Sequence, residues 1–234
     1  MTKVVTLIKS DGMPREEFRE HLRSGLYADL MQLPDATHFL AKVVHNVALQ
    51  AELRPDNDIA PGGWAGAIEW WFYDRSGAER FLQSPEVAKC IAAHAERLPE
   101  IVNLHVQEVD GWDLCTRKPD LKGLSFFIPR DGVSRAEAQL HWNTHHLRET
   151  ARLGMSQKLV KYVQNHTLPD FLTTNPDYNF AGGPEMWFET PDHAQSIFAD
   201  IELLTELQKD EVKFANHARS IMFLVEEETV FRAG

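Results

Sequence analysis

The densest run of side chains able to move a proton is His141, His145, His146 and Glu149. Neutral imidazole titrates near physiological pH and is the usual proton carrier in catalysis. On a helix, residues four apart share a face, so His141, His145 and Glu149 form one stripe with Trp142 beside it. Facing an apolar hollow, His145 would be the general base or acid, with His141 orienting it or carrying a second proton. A rival reading is metal ligation, because two imidazoles and a carboxylate suit zinc or non-haem iron. The residues between the histidines are Trp142, Asn143 and Thr144, not those of a His-Glu-x-x-His signature, so no metal is assigned. A solvated helix face is the third reading.

Glu185 is the other catalytic candidate. In Glu185-Met186-Trp187-Phe188 it reads as part of a strand, on the same face as Trp187. A carboxylate among Trp and Met would be partly desolvated, which raises its pKa towards acid–base duty. A structural ion pair competes with that role. Tyr162, Gln164 and His166 alternate along another strand, with Asn165 on the opposite face. The segment His166–Gly183 is long for a loop, and such loops are commonly lids or binding elements. Trp142, His146, Tyr162, His166, Phe171, Tyr178 and Trp187 are therefore the candidate substrate-binding residues. No GxGxxG, Walker loop, GxSxG elbow or Cys–His nucleophile pattern occurs, and no cofactor is assigned.

The elements that would carry these groups occur twice. Ser10–Glu17 is echoed by Arg130–Glu137 at an offset of 120 residues, and Lys42–Asn46 by Lys161–Asn165 at 119. Glu69–Phe72 is echoed by Glu185–Phe188 at 116, and Val106–Glu108 by Val225–Glu227 at 119. Two units over 1–115 and 121–234 follow, joined by a polar stretch containing Pro119. Each reads as βαββαβ, the ferredoxin-like order. In the second, Ser134 with Glu137 forms a capping box that starts the helix bearing the histidines. The fold class expected is α+β, with two ferredoxin-like units forming a dimeric-α/β-barrel-type fold within one chain.

Composition narrows the partners. Lys and Arg number 24 against 35 Asp and Glu, and the net charge of −11 argues against nucleic acid or an anionic membrane surface. No apolar run is long enough to span a bilayer. Cys90 and Cys115 make no CxxC and no zinc pattern, and with no signal-peptide pattern at the start they read as reduced thiols of a cytoplasmic protein. A homodimer of the two-unit chain is left open.

The chain resembles a tandem EthD-domain protein of the dimeric α+β barrel superfamily over nearly its whole length, and the second unit carries the resemblance best. The resemblance is carried by Arg130–Glu137, by His141-Trp142-Asn143-Thr144-His145, by Lys161–Asn165 and by Pro176 through Phe188. The first unit departs from it, with Leu22 standing for Trp142 and Gly25 for His145. The resemblance implies a pocket between sheet and helices and a small, often aromatic or polyketide-like substrate, usually handled without a cofactor. On that basis the leading expectation is a cofactor-independent lyase, dehydratase or isomerase with His145 as proton carrier. An oxidoreductase (cofactor-free, haem- or metal-dependent monooxygenase) is the second, and a non-catalytic ligand-binding accessory protein the third.

Overall fold

Alternating side chains and well-placed caps account for the local structure of this computed structural model, which describes residues 1–34, 36–49, 63–169 and 175–233. By contacts these residues divide into two units, one of 1–34, 36–49, 63–106 and 227–233, the other of 107–169 and 175–226. In the first, β1 (Thr2–Lys9) pairs antiparallel with β3 (Trp64–Phe72) and β4 (Glu100–Asp113), and β3 with β2 (Leu40–Ala48). Its helices are α1 (Arg15–Glu20), a π-helical turn (His21–Tyr27), α2 (Ala28–Met31), α3 (Arg75–Leu82) and α4 (Pro85–Ala93). Val4, Ile8, Val43, Ile68 and Trp70 pack with Phe18, Leu22 and Leu26 of the helices into one apolar core.

The second unit pairs β5 (Leu121–Pro129) with β7 (Gly182–Phe188) and β8 (Ala215–Arg232), and β7 with β6 (Lys161–Thr167). Its first helical run is α5 (Arg135–His141), a π-helical turn (Trp142–His146), α6 (Leu147–Arg152) and α7 (Met155–Lys158). Its second is α8 (Pro191–Phe198) and α9 (Ile201–Glu211). The capping box of Ser134 and Glu137 is formed at α5, and Thr190 and Asp200 cap α8 and α9.

The sheet corrects the expected fold class. Among the described residues the strands follow the order β1-β3-β2-β8-β5-β7-β6-β4 in one closed antiparallel barrel, α+β in content but not two ferredoxin-like units. The physical reason lies in two strands. β4 is 14 residues long and β8 is 18, beyond the roughly 3–10 residues usual for a strand. Residues 107–113 of β4 group with the second unit and 227–232 of β8 with the first. Closure removes the bare edges that separate four-stranded sheets would leave.

The sheet face turned away from the helices carries buried charge in both units. Lys122 Nζ lies 2.8 Å from Glu185 Oε2, with the two side chains 1% and 2% exposed, and Asn165 Nδ2 donates to Glu185 Oε1 at 2.7 Å. Lys3 and Glu69 meet at 3.0 Å, and Asn46 Nδ2 donates to Glu69 at 3.1 Å. The lysines also lie over indole rings, Lys122 over Trp187 at 4.7 Å and Lys3 over Trp71 at 4.6 Å. Each triad spans three adjacent strands in the same register: Lys122 opposite Trp187 and Asn165 opposite Gly183, Lys3 opposite Trp71 and Asn46 opposite Ala67. A one-residue slip would move a buried ammonium to the wrong face, so the pair penalises misregister heavily.

Replacing Glu185 by Ala removes the carboxylate that Lys122 faces, and should cost roughly 3–5 kcal/mol in urea unfolding. Replacing the pair together, Lys122→Met with Glu185→Leu, should cost clearly less. A single-variant loss under about 1 kcal/mol would mean that the pair does not hold the register.

Candidate active site

A change of helical pitch decides which histidines meet. At the start of the π-helical turn the Trp142 carbonyl accepts the N–H of Leu147, five residues on, and also Gln164 Nε2 at 3.3 Å from the sheet. The extra residue in the turn moves the shared face from i, i+4 to i, i+5. His141 and His146, not His141 and His145, therefore converge. His141 Nε2 lies 3.1 and 3.2 Å from the two oxygens of Asp210, and His146 Nδ1 is 3.1 Å from Asp210 Oδ2. Lys213 Nζ donates to the same carboxylate at 2.9 Å. Burial alone would push the Asp210 carboxyl up, but the hydrogen bonds from Lys213, His141 and His146 outweigh it and hold it below the usual carboxylate range. Asp210 is thus ionised at neutral pH and holds His141 at Nε2, which leaves Nδ1 as the ring nitrogen not bound to it.

His141, Asp210 and Lys213 line a pocket of about 340 Å³ together with His145, Arg148 and Glu149, while His146 is buried beside Asp210. His145 is exposed at its rim, its ring centroid 5.1 Å from that of His141 and its Nδ1 3.4 Å from Arg148 Nη2. Glu149 is turned to Arg152 at 2.7 Å. His141, His145 and Glu149 line the same pocket but share no hydrogen-bond partner, and among the described residues no group of three or more His, Cys, Asp or Glu is arranged to hold a metal ion.

Behind the helix lies a second polar chain. Trp142 Nε1 donates to Tyr162 Oη at 3.0 Å, and His166 Nε2 meets Gln164 Oε1 at 2.9 Å. Trp142 stacks on His166 at 4.8 Å, and Trp112 on Tyr162 at 4.9 Å. Burial pushes the Tyr162 phenol up to about 12 and the His166 imidazole down to about 4. Trp142 can sit this close because β7 opens with two glycines. A Cβ on Gly182 would lie 2.9 Å from Trp142 and 2.4 Å from the Asn165 carbonyl, and one on Gly183 1.9 Å from the Ser125 carbonyl.

The expected site is therefore split. His141 and His146 meet on Asp210, with His145 at the rim, whereas Trp142, Tyr162 and His166 gather on the sheet side of the helix. Glu185 and Trp187 lie on the opposite sheet face with Lys122, and Tyr178 stands 6.4 Å from Phe180. Phe171 lies outside the described residues. Asp210, Arg148 and Lys213 were not among the expected residues. One signal for Asp210 was available: His94 precedes it by 116 residues, the offset already seen for Glu69 and Glu185.

In the first unit the same positions are closed. His94 Nδ1 meets His21 Nε2 at 3.2 Å and His94 Nε2 meets Asp29 at 3.1 Å. A Cβ on Gly25, where the second unit has His145, would already touch His94 at 3.4 Å. An imidazole fills the place where the second unit has a short carboxylate beside a pocket. Nearby, the buried His45 packs edge-on to Tyr27, and burial, with the Arg23 charge, lowers its imidazole to about 4.

Residues 130–218 match the EthD domain family model. No curated protein matches the chain. Among solved structures, the fold is similar to an anthrone oxidase-like protein at 9% identity, covering 100% of this chain and 96% of that one, with a TM-score of 0.65. It is also similar to a candidate monooxygenase of Fusobacterium nucleatum (5% identity, 100% and 98% covered, TM-score 0.56). A candidate monooxygenase of Lactobacillus acidophilus matches as well (8% identity, 97% and 93% covered, TM-score 0.51). At such identities the likeness is one of fold. The names are those of oxidoreductases, none is that of a lyase or isomerase, and the leading expectation of a lyase or isomerase is set aside on that ground.

Two depressed imidazoles give a pH dependence of known sign. His45 and His166 bind protons less readily folded than unfolded, so their contribution is complete above the ordinary value of 6.5 and is lost as pH falls from there to about 4. Stability measured by urea unfolding should fall over that window, and His45→Gln or His166→Gln should flatten the fall. An unchanged slope in both variants would contradict it.

Proposed function

We propose that the chain is an oxygen-using oxidoreductase acting on a small organic molecule at the pocket of the second unit, with His141 as the proton acceptor. One observation carries the reading: an imidazole on a pocket wall whose Nε2 is held by both oxygens of an ionised Asp210. The carboxylate orients the ring and stabilises the imidazolium that forms when Nδ1 takes a proton.

The chemistry balances without a further reductant. A methylene flanked by aromatic or carbonyl groups, as in anthrone, loses a proton to His141, and the resulting electron-rich carbanion reduces dioxygen. One oxygen atom stays on carbon as the new carbonyl. The other leaves as water, taking up the proton that His141 returns and the second methylene hydrogen. Oxidation of CH₂ to C=O releases four electrons, enough for both oxygen atoms. The anthrone oxidase-like relative supports this substrate type and the monooxygenase names support the class. His146 would share in holding Asp210, and Trp142, stacked under the helix by Tyr162 and His166, would fix the backbone from which His141 projects. The first unit, with His94 against His21, serves as scaffold.

Oxygen uptake on anthrone and related hydroxyaromatics tests this. His141→Ala should lower turnover by about 10²–10⁴-fold, the usual share of a general base, with the fold retained. Asp210→Asn, which keeps the shape but offers no carboxylate, should also lower it. Uptake undiminished in His141→Ala would remove that residue from the mechanism. Binding of the aromatic with no uptake would turn the protein into a ligand-binding module.

A further inference from the structure

We infer that the ligand of this pocket is an anion, a small organic carboxylate gripped by Arg148 with Lys213 beside it; the inference rests on the same pocket being the substrate site. Every carboxylate on the pocket wall already has a cation. Asp210 has Lys213 at 2.9 Å as well as its two histidines, and Glu149 has Arg152 at 2.7 Å. Arg148 is the guanidinium left over. Its Nε donates to the Thr144 carbonyl at 3.1 Å and its Nη2 meets His145 Nδ1 at 3.4 Å, and among the described residues it faces no carboxylate.

Among the described residues Arg80, Arg130, Arg135 and Arg232 also take no carboxylate, but none of them lines this pocket, and most of the other arginines are paired. Arg97 takes both Asp11 and Glu17, Arg117 takes Asp120 and Glu189, and Arg75 takes Glu79. Arginine is the side chain best shaped to hold a carboxylate through parallel N–H bonds, and Arg148 stands at the wall of a pocket large enough for a small ligand. The bond from Nε to Thr144 fixes the direction of the guanidinium, which lowers the ordering cost of binding. Next to it the imidazole rings of His141 and His145 lie 5.1 Å apart and tilted by 34°, offering flat faces to the body of the ligand, and His141 is itself stacked on Phe214. A planar acid placed with its carboxylate on Arg148 would set its ring beside His141.

The test compares benzoate, its neutral isostere benzamide and inorganic phosphate, followed by the imidazole proton signals of His141 and His145 in NMR titrations of the full chain. Benzoate should shift both signals saturably, and benzamide should bind about tenfold or more weakly. Arg148→Gln should weaken benzoate by a similar factor, and raised salt should weaken it further. Equal binding of benzamide, no effect of Arg148→Gln, or no shift with any probe would overturn the inference. Phosphate binding without benzoate binding would also overturn it, in favour of an inorganic anion. Benzoate binding in a protein that consumes no oxygen on any substrate would sink the oxidase reading and leave the anion site. Oxidation of neutral substrates in a protein that binds no benzoate would do the reverse.

Discussion

The buried ion pair of Lys122 and Glu185 is the constraint on which the second unit depends. Two charges enclosed in a sheet are costly, and they are tolerable only if each finds its partner at hydrogen-bond distance. That condition locks β5 against β7, and Asn165 extends the lock to β6. Once β6 is fixed with Asn165 on one face, alternation sends Tyr162, Gln164 and His166 to the other, beneath the helix that bears the histidines. The charged face and the aromatic face are thus two sides of one register. The first unit repeats the lock with Lys3, Glu69 and Asn46 but carries Val43, His45 and Val47 on the reverse side. The same frame supports two different upper surfaces.

The next link is the contact between sheet and helix. Gln164 reaches up to the Trp142 carbonyl and Tyr162 receives the indole N–H, so the sheet holds the helix at the point where its pitch changes. The π-helical turn then rotates His146 onto the face already occupied by His141, and Asp210 on α9 closes the group from the other side. The meeting of His141 and His146 on Asp210 arises here from backbone geometry as much as from residue type. The exposed rim, with His145 and Arg148, is what the rotation leaves outside.

Much of the local architecture could be read from residue order. The capping box at Ser134, the strand alternation around Tyr162 and Glu185, and the helix through His141 and His145 all follow from periodicity and cap chemistry. The EthD resemblance rested on the same segments. A barrel within one chain was expected, but residue order did not carry the extent of its long strands, because nothing in Glu100–Asp113 or Ala215–Arg232 marks where those strands stop serving one unit. Nor did it carry the π-helical turn: a four-residue stripe assumes 3.6 residues per turn, and the widening comes from a long-range bond between Trp142 and Gln164. Asp210 escaped for the same reason, since its partners lie 69 and 64 positions away in the chain. The role proposed for Glu185 turned on its surroundings, and Lys122, which sits beside it, belongs to a different strand far away in the chain.

The glycine pair that opens β7 bears on how such a protein can diversify. Because neither Gly182 nor Gly183 has room for even a methyl group, the floor under Trp142 is closed to variation. Adaptation towards a new ligand would have to be written in the roof, on the outward positions of α5, α6 and α9, where residues such as Arg148 and Lys213 can be exchanged without disturbing the strands. Descendants of this chain would then be expected to share their floor and differ in their roof, so that divergence in chemistry leaves little trace in the sheet.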